Sequence, residues 1–108
     1  MTMPNMQELM EKAKEMQKQM QVAQQEITSI TVIGKSGGGL VEVHMSGAYR
    51  VLRTIISEKI ISDKAMTEDL VTAAFNHASD QVASRTKDKM MQLAKTLNLP
   101  ENTTDQIT

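Results

Sequence analysis

The stretch from Ile30 to Ile56, ITVIGKSGGGLVEVHMSGAYRVLRTII, decides the fold. Val41, Val43 and Met45 alternate with Glu42, His44 and Ser46, the period of two that marks a strand with one wet face. Ahead of them the β-branched run ITSITVIG starts a strand by about Ile30, and behind them RVLRTII, Arg50 to Ile56, makes another. Only GKSGGG and SGAY separate the three, and connections this short allow only antiparallel neighbours. The expected product is a three-stranded antiparallel meander whose strands, at roughly six residues each, span ~20 Å.

Gly34-Lys35-Ser36 is also the tripeptide that closes a phosphate-binding P-loop, and three more glycines follow it. The spacing rejects that reading. A P-loop needs glycine five positions before Gly34, where this chain has Ser29, and a helix directly after Ser36, where Gly37 leads towards a strand. The glycines are expected to serve a hairpin turn instead. Catalysis has little else to stand on. His44 falls on the polar side of a strand and His77 on a helix, nothing in the sequence brings them together, and Tyr49 and the serines lack an evident activating base. His77 with Asp80 or Gln81 is a pair, too few ligands for a metal. No catalytic residue, metal, cofactor or small-molecule substrate is expected.

Upstream of the strands, Met6, Leu9, Ala13, Met16, Met20, Ala23, Ile27 and Ile30 alternate in steps of three and four, a heptad pattern. Asn5 is placed to cap this helix, with Glu8 completing a capping box and Glu8 to Lys12 adding a pair one turn apart. The β-branched residues that follow end it near Glu26. Downstream, Ser62 or Asp63 can cap a second helix that begins near Ala65 and carries Leu70, Ala73, Ala74, Phe75, Ala78 and Val82 on its apolar face. Past Val82 that face fades, although SRTKDKMMQLAKTLN, Ser84 to Asn98, stays helix-prone. Pro100 and ENTTDQIT mark a polar tail, so residues 1–98 are expected to form the domain and 99–108 a flexible C-terminal tail. Helices of ~33 Å or more cannot both be covered by a sheet ~20 Å long. Their far ends must overhang or pack on another subunit, which implies a dimer with projecting helices.

Composition narrows the function. The 108 residues suit one domain, and the absence of cysteine excludes disulfides and thiolate metal sites. The N-terminus lacks the order of a signal peptide and no apolar run approaches the ~18 residues that cross a bilayer, so a cytoplasmic, membrane-free protein is expected. With 12 basic against 13 acidic residues the formal charge is -1, and any site for a polyanion must be a local patch. Arg85, Lys87, Lys89 and Lys95, offset only by Asp88, carry a local charge of +3. Such a run is often just a solvated helix face, and it is also the footprint of phosphate contact. Lys12, Lys14 and Lys18 on the first helix and Arg50 and Arg53 on the third strand are further candidates, the lysines diluted by Glu8, Glu11 and Glu15.

A Met/Gln/Lys-rich first helix, then GKSGGGLVEVHMSGAYRV, an Ile-rich strand and EDLVTAAFNHA opening a long second helix resemble the YbaB/EbfC family of nucleoid-associated proteins. The resemblance covers residues 6 to 97, and its most specific parts are Gly37 to Val43, Gly47 and the Leu70 to Ala78 block. It implies an α+β, α-β-β-β-α protomer, a homodimer joined largely through the sheet, and helices that project like the arms of tweezers. It further implies a non-enzyme that binds double-stranded DNA in the cytoplasm, coats the nucleoid and influences gene expression. Two departures stand out: the strand here ends ISEK, where members commonly have an acidic residue and proline after the Ile, and the tail lacks their frequent Gly/Met/Pro-rich ending. On this reading Lys12, Lys14 and Lys18 lie on one arm and Arg85, Lys87, Lys89 and Lys95 on the other. The alternative is a helical module that grips another protein instead of DNA, which the adaptable methionine stripe suits.

Overall fold

A computed structural model describes residues 5–97. The order is α1 (Met6–Ser29), β1 (Thr31–Ser36), a short 3-10 turn over Gly37–Gly39, β2 (Val41–Ser46), β3 (Val51–Ile56) and α2 (Lys64–Thr96). The sheet runs β1-β2-β3 with both pairings antiparallel, the meander expected from the sequence. The expected tail, residues 99–108, lies outside the described residues.

The core occupies one face of the sheet. Val32 on β1 and Val41, Val43 and Met45 on β2 are buried against Ala74, Ala78 and Val82 of α2, with Ile60 closing one end. Small residues one turn apart let α2 lie close to the sheet, and Gly34 completes the fit. A Cβ there would stand 2.2 Å from the Ala74 carbonyl oxygen and 2.5 Å from the Ala78 nitrogen. The glycine that imitates a P-loop is therefore the point where helix and strand touch. The turn that follows uses glycine for a different reason: Gly37, Gly38 and Gly39 have φ of 60°, 67° and 97°, left-handed values that favour glycine.

Element ends differ from expectation for local reasons. α1 runs on from Glu26 to Ser29 because Ile27 is buried and the hydroxyls of Thr28 and Ser29 donate to the carbonyls of Gln25 (3.0 Å) and Glu26 (2.9 Å). The Ser29 bond serves Glu26, the first of the four carbonyls that the helix end leaves without an intrahelical donor. The caps are as expected: the Asn5 side chain accepts from the Glu8 amide at 2.8 Å and Asp63 from the Met66 amide at 3.1 Å. β3 starts at Val51, since Arg50 is held in the turn by its carbonyl, which accepts from the Ser46 amide at 2.8 Å. Phe75, expected on the buried face of α2, is 44 % exposed, because the face that meets the sheet is the narrow Ala74-Ala78-Val82 row.

The molecule is drawn out. Its extents are 72 × 25 × 16 Å and its radius of gyration is 20.1 Å, against about 13 Å for a compact domain of this length. The sheet accounts for only the first half of α2. Beyond Val82 no residue of α2 is buried, and this half projects past the sheet with α1 running back alongside it.

The two edges of the sheet are treated differently. On β1 the main-chain groups of Ile33 and Lys35 point away from β2, and α2 meets both. The Lys35 amide donates to His77 Nδ1 at 2.9 Å, and Gln81 Nε2 donates to the Ile33 carbonyl at 2.6 Å. Next to them the Ser36 hydroxyl donates to the Leu70 carbonyl at 2.6 Å. Among the described residues β3 has no such cover. Val43 pairs with Gly34 on one side and Thr54 on the other. Since main-chain groups alternate sides along a strand, those of Thr54 point out from the free edge. Val51, Leu52, Arg53 and Thr54 are all exposed.

Candidate nucleic-acid interface

The arm is built from both helices. Glu26 of α1 and Lys89 of α2 form an ion pair across the seam. The helices run in opposite directions, so the lysines of α1 and the basic residues of α2 occupy one projection of the chain. This corrects the expected division of the two sets between separate arms: a pair of arms requires two chains.

Along that projection the cations differ in setting. Lys12, Lys14, Lys18, Arg85, Lys87 and Lys95 are exposed, whereas Lys89 is half-buried at the seam. Arg85 and Lys87 form no ion pair among the described residues, and neither do Lys12, Lys14 and Lys18; the Glu8–Lys12 pair expected on α1 does not close. Lys14 and Lys18, one turn apart, share a face of α1. At about 100° per residue, Lys87 lies about 200° around α2 from Arg85. The seven cations are thus spread around the arm instead of forming one flat patch.

A groove of ≈ 430 Å³ follows the seam, lined by Glu15, Lys18, Val22, Glu26, Lys89 and Leu93 among others. Its two lysines are matched by two carboxylates. The heptad stripe of α1 is only partly used: Ala23 and Ile27 are buried, while Met6, Leu9 and Met20 stay 75 %, 49 % and 54 % exposed. Sequence spacing carries no sign of the Glu26–Lys89 pair, which joins residues far apart in the chain. The edge-capping role of His77 and Gln81 does have a signal, two polar residues one turn apart flanking the alanine face, although at that spacing a histidine reads first as a metal ligand.

The histidines remain apart in role. His44 points from the sheet face opposite α2, across from Ile33 and Arg53, with Nε2 shielded and 3.6 Å from the Glu42 carboxylate. His77 accepts at Nδ1, so as neutral imidazole its proton sits on Nε2, and the 3.4 Å approach of Gln81 Nε2 brings two donors together. Among the described residues no three His, Asp or Glu side chains group to hold a metal, and no helix is long and apolar enough to cross a membrane.

This architecture has known counterparts. An uncharacterized protein from Helicobacter pylori superposes with a TM-score of 0.73 at 20% identity, covering 84% of this chain and 98% of the other, a likeness of fold. In sequence, a nucleoid-associated protein of Xanthomonas euvesicatoria is 40% identical over 96 residues, covering 89% of this chain and 91% of the relative. Its counterpart in Xanthomonas axonopodis pv. citri matches at the same identity and coverage. The profile of the YbaB/EbfC DNA-binding family matches residues 3–97, both helices and the whole meander, and the chain belongs to that family.

Proposed function

We propose that this chain binds double-stranded DNA as a homodimer, mainly through phosphate contacts from its projecting arms. It acts as a non-catalytic, nucleoid-associated protein of the cytoplasm that influences nucleoid organisation and gene expression. The observation that carries the reading is the arm: α2 continues past Val82 beyond the sheet with exposed Arg85, Lys87 and Lys95, and α1 beside it adds Lys12, Lys14 and Lys18. The family is described as DNA-binding, and the Xanthomonas relatives are named nucleoid-associated. The bare edge of β3 supports a dimer joined through the sheet, which sets two arms in one molecule like tweezers.

Because the whole chain carries a charge of -1, attraction to DNA rests on these local cations. Duplex DNA offers them phosphates at close intervals, and four to eight neutralised phosphates give a log-log salt dependence of roughly -4 to -7. Gel retardation of a plain duplex at two salt concentrations tests this. Replacing Arg85 and Lys87 together with Ala weakens binding and flattens the slope by about 0.9 for each phosphate that is no longer neutralised. Light scattering reports the same dimer, twice 12.0 kDa, for wild type and variant. Absence of retardation at low salt would discard DNA and favour an arm that grips another protein, for which the half-open methionine stripe is suited.

A further inference from the structure

Lys89 reaches across the seam to a carboxylate, that of Glu26. Glu26 lies in the last turn of α1, at the end where the helix dipole disfavours negative charge. Its own helix therefore gives no reason for an anion there; the ammonium of Lys89 across the seam does. The pair is open to solvent, with side chains 33 % and 51 % exposed, and it shares the groove with Lys18 and Glu15. Two cations and two anions leave the groove formally neutral. A carboxylate and a phosphodiester offer an ammonium the same thing: a single negative charge spread over two acceptor oxygens. Exposed ion pairs are weak, so exchanging one anion for the other is nearly balanced.

We propose that the seam between α1 and α2 is a phosphate site that the chain itself occupies, with Glu26 as an internal competitor for DNA phosphate at Lys89. This rests on the DNA-binding reading and deepens it. Glu26 limits how many phosphates an arm engages, and Lys89 contributes less to binding than its position implies until Glu26 is displaced. A phosphate entering the groove takes the place of Glu26 on Lys89, and the freed carboxylate then stands beside the DNA backbone and repels it.

The test is a set of salt titrations on one duplex with the full chain. Glu26→Gln removes the competing charge and keeps the side chain's shape. It binds more tightly at low salt than wild type, and its log-log slope is steeper by about 0.9 for each arm on the duplex, so by about 1.8 for the two-armed dimer, equivalent to about 12-fold more affinity lost between 50 and 200 mM salt. The steepening disappears in the double variant Glu26→Gln with Lys89→Gln. Glu68→Gln is the control: it removes the same charge and releases Lys64 from a comparable pair near the start of α2, away from the seam. It leaves the slope unchanged. If wild type binds and Glu26→Gln shows the same slope, the proposal alone is overturned. So it is by a gain that survives loss of Lys89, or one that Glu68→Gln reproduces. Wild type that fails to bind at low salt overturns the DNA-binding reading and the proposal with it.

Discussion

The two edges of the sheet are the same length and meet opposite fates. β1 is closed: a glycine brings α2 into contact, and three side-chain bonds, from Ser36, His77 and Gln81, tie helix and strand together. β3 is left bare among the described residues, with Leu52 56 % exposed and Val51 37 % exposed beside outward-pointing main-chain groups. An unpaired edge is a template for another strand, and proteins usually blunt it. Here one edge is blunted by the chain's own helix and the other is not. The asymmetry leaves one route for sheet-to-sheet association, and in the proposed dimer that route gives a closed pair and not an open fibre.

The largest effect on folding is expected where the closed side depends on a missing side chain. Gly34→Ala puts a methyl 2.2 Å from the backbone oxygen of Ala74, which cannot rotate away. α2 must shift off β1, costing about 3 kcal/mol or more. For a domain of this size that lowers the melting temperature by on the order of 15 °C. Gly38→Ala supplies the contrast. Nothing lies within 4 Å of its Cβ position, and only its φ of 67° opposes the substitution, a penalty of about 1–2 kcal/mol. Calorimetry on the two variants separates a glycine needed for contact from one needed for backbone conformation, and equal losses would refute that distinction.

The open side is broken next, with an effect on association instead of folding. Thr54→Pro removes an amide that points out from the free edge, so the pairing of β3 with β2 survives, as proline tolerates an edge position of this kind. Leu52→Lys places a charge on the same edge. Burying one leucine contributes about 1.5–3 kcal/mol, and a two-fold dimer contains it twice. The dimer dissociation constant then rises by about two to four orders of magnitude. Light scattering should find monomer for both variants at micromolar concentration with helix content retained; an intact dimer would remove β3 as the seam.

How much of this is legible in the sequence follows the same division. The strands are plain because Val41, Val43 and Met45 keep a strict period of two and the turns between strands are short. The helices are plain because of capping residues Asn5 and Asp63, and the overhang follows from length alone. Contacts between distant segments are not legible. Gly34 resembles part of a phosphate motif because its reason, the approach of Ala74 and Ala78, lies in another element. Phe75 reads as buried because an apolar side chain next to Ala74 fits a broad helical face, while the close approach permitted by alanine makes that face narrow. The basic residues of the arm are legible one by one and not as a surface. Their division around two helices, and the tie between Glu26 and Lys89, depend on how the helices lie together.

The smallest effect is expected from the caps on β1. His77→Ala frees the Lys35 amide and Gln81→Ala the Ile33 carbonyl, and each lost bond contributes about 0.5–1.5 kcal/mol because water can reach both sites. The double variant should melt several degrees lower than wild type and still bind DNA, since both residues precede the projecting half of α2. Stability alone does not isolate the edge, so two further readouts matter. Exchange of the Lys35 amide should quicken selectively in His77→Ala; unchanged protection would mean that the imidazole does not hold it. Uncapping also gives the chain a second free edge, and a molecule with two free edges can pair at both. Scattering from the double variant should then rise with concentration beyond the dimer, while the added Thr54→Pro change caps growth at species joined through β1 alone. If the double variant stays a dimer at every concentration, Gly34 contact and the charge of Lys35 already suffice to close β1, and the side-chain caps serve stability only.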